Sequence, residues 1–113
     1  AAAIEDLLGQ ERREIYLYCR ETVKNHSSFH ARMFAPLLGI NEDPATGAAA
    51  AAFGGVVMKY DQPARGTKNY IIEQGIEMGR PSEIHLELII NDALKNVRIG
   101  GHVVKVASGV LEV

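Results

Sequence analysis

Apolar and polar positions alternate most cleanly in EIHLELII, where Ile84, Leu86, Leu88 and Ile90 fall on one side of an extended chain and His85 and Glu87 on the other. The same two-residue period marks SFHARMF, Ser28 to Phe34, with Phe29, Ala31 and Met33 opposite His30 and Arg32. IYLYC, Ile15 to Cys19, is a β-rich apolar run and reads as a strand as well. NYIIEQGIEMG, Asn69 to Gly79, predicts a strand broken or bulged at Gly75, and GRPS after it predicts a turn. NVRIGGHVVKVASGVLEV predicts two or three further short strands, punctuated by Gly100-Gly101 and Ser108-Gly109.

Helical character is concentrated in two places. Ile4, Leu7 and Leu8 share one helical face ahead of Gly9 and predict a short helix. Ala45 to about Lys59 predicts the one long helix, because alanine, the best helix former, fills five consecutive positions from Ala48 to Ala52. Six or seven strands and one central helix make an α+β domain: a curled, mostly antiparallel sheet, or half-barrel, wrapped around the Ala-rich helix. That helix is apolar all round, which predicts burial on most sides. Its alanines let strands approach closely, so a leucine at Ala50 should overpack the core at a cost of about 1–3 kcal/mol. Gly54 and Gly55 each cost a helix about 1 kcal/mol and are expected to mark close backbone contact.

A chain of 113 residues with 47% apolar content suffices for one domain, 1–113, with a core that needs neither metal nor disulfide. The lone Cys19 points to a reducing compartment, and its apolar strand predicts a buried thiol rather than a nucleophile. A net charge of −2 and the lack of a basic stripe give no reason to expect nucleic acid. The longest apolar run, Gly47 to Met58, is shorter than the roughly 20 residues of a spanning helix, so no membrane partner is expected and a cytoplasmic location is the default. The opening AAAIEDLLGQ reads as the continuation of something larger, and a fragment is expected.

Candidate chemistry gathers in GINEDPATGAAAAAFGG, Gly39 to Gly55. Asp before Pro is the pattern of a helix start, with Asp43 as N-cap and Pro44 at the first helical position. The same stretch also fits an anion site, since a buried helix N-terminus presents unpaired N–H groups and Gly47 would let a ligand approach them. Nucleotide-binding loops of the GxxxxGK[ST] or GxGxxG type are absent. His26, His30, His85 and His102 show no metal-ligand spacing such as HExxH and read as surface or half-buried strand residues; no metal and no cofactor are expected. EQGIEMGRPS gathers Glu73, Gln74, Arg80 and Ser82 around glycines and reads as turn chemistry, with ligand contact as the alternative.

Three stretches, ARMFAPLLGINEDPATGAAAA, IEQGIEMGRPSEIHLEL and VRIGGHVVKVASGVLEV, occur in an order that resembles the C-terminal half of the PhzF-like isomerase family, within the diaminopimelate-epimerase-like superfamily. The resemblance runs from about Ile15 to Val113. It implies one half of a two-lobed fold, each half a curled sheet around a central helix, with the active site between the halves. By that resemblance Asp43 is the active-site aspartate, and Thr46, Gly47 and Ala48 bind substrate, the backbone N–H groups of Gly47 and Ala48 holding its carboxylate. Relatives that racemise or epimerise carry a cysteine near this helix head; Asp43 stands here, so a two-thiol mechanism is not expected. The implied chemistry is a proton shift on a small carboxylic acid, with a general acid/base glutamate and a pocket histidine that belong to the N-terminal half. Ala48 stands where the family usually has serine, which removes a hydroxyl bond worth about 1 kcal/mol.

Three functions follow: the C-terminal domain of a PhzF-like isomerase working with an N-terminal half-domain; a stand-alone homodimer with two Asp43 carboxylates across a symmetric cleft; or a carboxylate-binding or interaction module without catalysis. The first leads. In each, an open apolar face predicts a partner, either the N-terminal half-domain or a second copy, and a homo-oligomer is expected.

Overall fold

A computed structural model describes residues 14–113, so the helix expected around Ile4 to Leu8 lies outside the described residues. Six strands and one helix follow: β1 Ile15–Cys19, β2 Phe29–Ala35, β3 Ile40–Asp43, α1 Gly47–Asp61, β4 Gly66–Gln74, β5 Ser82–Ile90 and β6 Leu94–Gly100. They form one curled, unclosed sheet in the order β1-β2-β4-β5-β6, with β3 pairing β2 beside that path. Every pairing is antiparallel except β2 with β4, where Phe29, His30 and Ala31 lie opposite Ile72, Glu73 and Gln74. A parallel pair cannot be closed by a hairpin, so the chain from β2 must cross over before it returns as β4. β3 and α1 are that crossover.

Alternation places the core. Ile84, Leu86, Leu88 and Ile90 of β5 are all buried, and Ile72, Phe29 and Ala31 continue the same face on β4 and β2. The helix docks here through Ala50, Phe53, Gly54 and Val57. Phe53 is the anchor: its ring meets Phe29 edge-on at 4.9 Å, Tyr18 at 4.6 Å and Tyr16 at 5.8 Å between centroids. These are favourable aromatic separations, each worth about 0.5–1.5 kcal/mol beyond the area they bury.

Of the two helix glycines, only Gly54 is pressed against the sheet. A Cβ there would lie 2.9 Å from Leu88 Cδ2 and 3.3 Å from Val97, whereas one at Gly55 would meet nothing within 4 Å. The expectation of close contact therefore holds for Gly54 and fails for Gly55, which faces outward. The helix is also less enclosed than its composition suggests. Ala48, Ala52 and Gly55 are exposed, because the sheet covers one face and does not close over the other.

The C-terminal stretch departs further from expectation. Only β6 forms, ending at Gly100, and residues 101–113 make no strand. Among the described residues no strand pairs with this segment, and Val103, Val104, Val106, Val110, Leu111 and Val113 stay exposed. β3 is the converse: INED lacks an apolar period and predicts no strand, but Asp43 pairs Met33 and Ile40 pairs Ala35 across a register shift.

One buried charge cluster seals the parallel seam. Glu73 is 1% exposed, and its carboxylate accepts from the backbone N–H groups of Val23 at 2.8 Å and Lys24 at 3.0 Å. His30 sits 2.5 Å from Glu73 through Nδ1 and 2.6 Å from Glu77 through Nε2. Burial alone would push Glu73 upward, but His30 and the two N–H groups outweigh it and hold the carboxyl down at about 2. Burial likewise lowers His30, and the two carboxylates overcome it to raise the imidazole above its ordinary value.

Two predictions follow from this packing. Ala50, with no exposed surface, leaves no room for growth, so Ala50→Leu should lower the unfolding free energy by about 1–3 kcal/mol, read from the midpoint of urea denaturation. The cluster sets a pH window. Glu73, depressed below its ordinary 4.5, contributes stability above that pH and loses it as pH falls toward 2. His30, raised above 6.5, contributes stability below that pH and loses it as pH rises through its folded value. Stability should be greatest between about pH 5 and 6.5, and Glu73→Gln should shrink the acid limb, to which Asp61, Glu77 and Glu83 also contribute, and cost about 3 kcal/mol at pH 6. Urea midpoints across pH 3–9 for both proteins check the sign on each side.

Candidate active site

The head of α1 is built from three short segments that meet at Gln74. Asp43 closes β3, and a residue before proline avoids helical backbone, so the chain stays non-helical through Pro44 and Ala45. The helix starts at Gly47 with Thr46 as its N-cap, three residues later than the Asp43-Pro44 pattern implies. Asp43 is therefore not the cap. Thr46 makes no side-chain cap bond either, because its hydroxyl is directed elsewhere: it donates to Asp43 Oδ2 at 2.5 Å and accepts from Gln74 Nε2 at 3.1 Å.

This leaves the first turn of α1 open. The Ala50 N–H is the first to close onto the helix, bonding the Thr46 carbonyl at 3.1 Å. The N–H groups of Gly47, Ala48 and Ala49 precede that bond and lack an intrahelical acceptor, with the positive end of the helix dipole behind them. Gly47 and Ala48 are exposed. The geometry suits a carboxylate or phosphate. A Cβ on Gly47 would meet Ile99 Cγ2 at 3.8 Å, an ordinary contact, so the fold does not itself require glycine there.

Gln74 holds the arrangement together. Fully buried at the end of β4, it donates from Nε2 to the Asp43 carbonyl at 2.8 Å as well as to Thr46. Its Oε1 is buried without a hydrogen-bond partner among the described residues. An unmet buried acceptor costs about 1–3 kcal/mol, so this atom, like the buried hydroxyls of Tyr16 and Ser27, would gain from a hydrogen-bond partner in water or a ligand. The adjoining Gly75 has φ +82 and no space for a side chain: a Cβ would lie 2.3 Å from the Arg80 carbonyl oxygen and 2.7 Å from that of Pro44. Gly75 is thus the point where the GRPS loop and the DPATG loop touch. Arg80 N–H closes the turn onto the Gly75 carbonyl at 2.9 Å, and Ser82 Oγ donates to the Arg80 carbonyl at 3.3 Å, so this segment is the turn its sequence predicts.

Asp43, Thr46, Gly47 and Ala48 are thus brought together at one helix end. Gln74, named from sequence only as part of a turn, is the residue that couples them. Behind them Arg32 makes a forked pair with Glu42, Nε to Oε2 at 3.0 Å and a terminal nitrogen to Oε1 at 2.8 Å, which fixes the residue just before Asp43. Beside them Ala45, Pro81, Ser82, Glu83 and His102 line a cleft of about 430 Å³. Cys19 corrects an expectation: it is exposed at the end of β1, its thiol donating to the Glu21 carbonyl at 3.2 Å, because β1 is the edge strand and its outer residues face away from the helix. No helix among the described residues is long and apolar enough to cross a membrane.

Substituting Gly75 should be more damaging than any other glycine change here. Gly75→Ala meets both backbone oxygens and an unfavourable φ at once, so it should cost at least about 3 kcal/mol and loosen the helix head. Urea denaturation with Gly55→Ala as the tolerated control measures this.

The model of the phenazine biosynthesis-like protein family matches residues 6–109. The chain is 57% identical over 97 residues to an uncharacterized isomerase of Mesorhizobium japonicum, covering 85% of this chain and 32% of the relative. It is 33% identical over 100 residues to the uncharacterized isomerase YfhB of Bacillus subtilis, covering 88% and 31%. The chain thus spans about a third of the length of the curated relatives it matches. Its fold is similar to the crystal structure of a Bacillus anthracis phenazine biosynthesis protein of the PhzF family, with a TM-score of 0.64 at 20% identity, over 77% of this chain and 34% of that one. The extent of the family match, together with a half-domain fold that carries the EDPATG loop at the head of its helix, means that this chain belongs to the phenazine biosynthesis-like, or PhzF-like, family.

Proposed function

We propose that the chain is the C-terminal, carboxylate-holding half of a PhzF-like isomerase that shifts a proton on a small, cyclic or aromatic, carboxylic acid. The observation that carries this reading is the uncapped first turn of α1, whose N-cap hydroxyl is committed to Asp43 instead. In this reading the N–H groups of Gly47 and Ala48 receive the substrate carboxylate and set its orientation. Asp43 is the catalytic residue contributed by this half. Thr46 occupies its Oδ2, leaving Oδ1 to accept a hydrogen bond from a substrate hydroxyl or amine. The general acid/base is supplied by the other half of the site, and no residue near the helix head takes that role here.

Two features support a site completed by a partner, either an N-terminal half-domain or a second copy. The exposed side of α1 meets β1 in an apolar groove lined by Tyr16, Tyr18, Ala49, Ala52, Phe53 and Val56. The outer strand edge and the apolar C-terminal segment also lack cover among the described residues.

The test uses the whole protein that contains this half, or this half joined in trans by its complement, and follows substrate-dependent deuterium incorporation from solvent. Asp43→Asn should slow incorporation by about a hundredfold or more. Gly47→Val should weaken carboxylate binding, with Gly47→Ala, whose Cβ meets Ile99 at an ordinary 3.8 Å, as the variant that keeps the fold. Ala48→Ser should tighten binding by about fivefold, the worth of one restored hydrogen bond of about 1 kcal/mol. A folded assembly that binds carboxylates but exchanges no proton would overturn the isomerase reading and leave a binding module.

A further inference from the structure

Three of the chain's four histidines, with one glutamate, converge on the outer face of the sheet near the β5–β6 edge. Glu83 and His85 are two residues apart on β5 and therefore share a face, opposite the buried Ile84 and Leu86. Gly100 pairs His85, and the chain then bends through Gly101, where a Cβ would lie 3.4 Å from the Glu83 carbonyl oxygen. This close pass brings His102 alongside. Its ring lies 5.5 Å from that of His85, at 86° to it. One ligand atom each from Glu83, His85 and His102 falls within 4.8 Å of the other two.

We propose that Glu83, His85 and His102 bind a borderline divalent transition-metal ion such as Zn²⁺. Two imidazoles and a carboxylate form a three-ligand set that such an ion accepts, while calcium and magnesium select oxygen donors instead. Ligands at about 2.1 Å in a tetrahedron stand about 3.4 Å apart, so the side chains must close on the ion by little more than 1 Å. His102 is exposed and free to make that rotation. Glu83 already has an outer partner, since His26 Nε2 bonds its Oε1 and leaves Oε2 for the ion. A hydrogen-bonded carboxylate of this kind orients a metal ligand in advance. Glu83 and His102 also line the cleft shared with Ala45, Pro81 and Ser82, so the ion would sit in its wall, with coordination positions left for water or a small ligand.

Titration of the chain with Zn²⁺ alone, followed by calorimetry, should show one equivalent bound. His85→Ala and His102→Ala should each remove that binding. His26→Ala should weaken it about tenfold, and Cys19→Ser should leave it unchanged. Because these side chains lie on the outer face, the variants should keep the wild-type circular dichroism. A second measurement needs no variant: Co²⁺ should selectively broaden the imidazole NMR signals of His85 and His102 and spare His30. Zn²⁺ binding that survives loss of both histidines, broadening that centres on another residue, or no binding by the folded wild type would each overturn the proposal.

Discussion

The amide of Gln74, reaching from the end of β4 to the carbonyl of Asp43, is the contact on which the rest of the site depends. It spans the one place where chain continuity does not help, between the crossover that begins after β2 and the strand that returns parallel to β2. The same Nε2 also takes the Thr46 hydroxyl oxygen as an acceptor, which turns that hydroxyl's proton toward Asp43 and away from the helix. The open first turn of α1 is therefore a consequence of where Gln74 stands. A helix start whose N-cap side chain turned inward would have fewer N–H groups left to offer a ligand.

Much of the fold is legible in the sequence because burial on one face imposes a period of two. β5 is the clearest case: Ile84, Leu86, Leu88 and Ile90, the alternating apolar positions of EIHLELII, are all buried, and a one-residue shift would turn them out. β1 is legible by composition alone, and the helix by its alanines. Where the sequence misleads, the cause is tertiary. INED becomes a strand because Met33 and Ala35 offer an edge to it, not because its residues prefer one. VVKVASGVLEV carries strand-forming residues, yet it pairs with none of the described strands, and β propensity without a partner makes no sheet. Ala-rich composition implied a fully enclosed helix, but alanine only permits close approach; what encloses a helix is a closed sheet.

The chemistry is legible to a lesser degree. Asp43, Thr46, Gly47 and Ala48 are adjacent in sequence, so the helix head could be read as a unit. Gln74 and Gly75 come from a different element, and nothing local distinguishes Gln74 from any polar residue at a strand end. Glu73 is similarly silent, since a glutamate on a strand ordinarily faces water, whereas here two backbone N–H groups and an imidazole replace the solvent. The histidines carry no motif because their convergence with Glu83 is made by the turn at Gly101 rather than by spacing. The only local trace is the two-residue step between Glu83 and His85.

Connections between secondary elements ordinarily accept insertions and deletions, since few contacts hold them. The connection from Ala35 to Gly47 does not have that freedom. β3 fixes it to β2, Arg32 grips Glu42, Gln74 holds the Asp43 carbonyl, and the Pro44 carbonyl lies against Gly75. A segment that looks like a loop thus has a length as constrained as that of a core strand. Variation in a lineage built on this half-domain would be channelled away from it, into the turns at the far end of the sheet, such as Asn91 to Ala93 between β5 and β6.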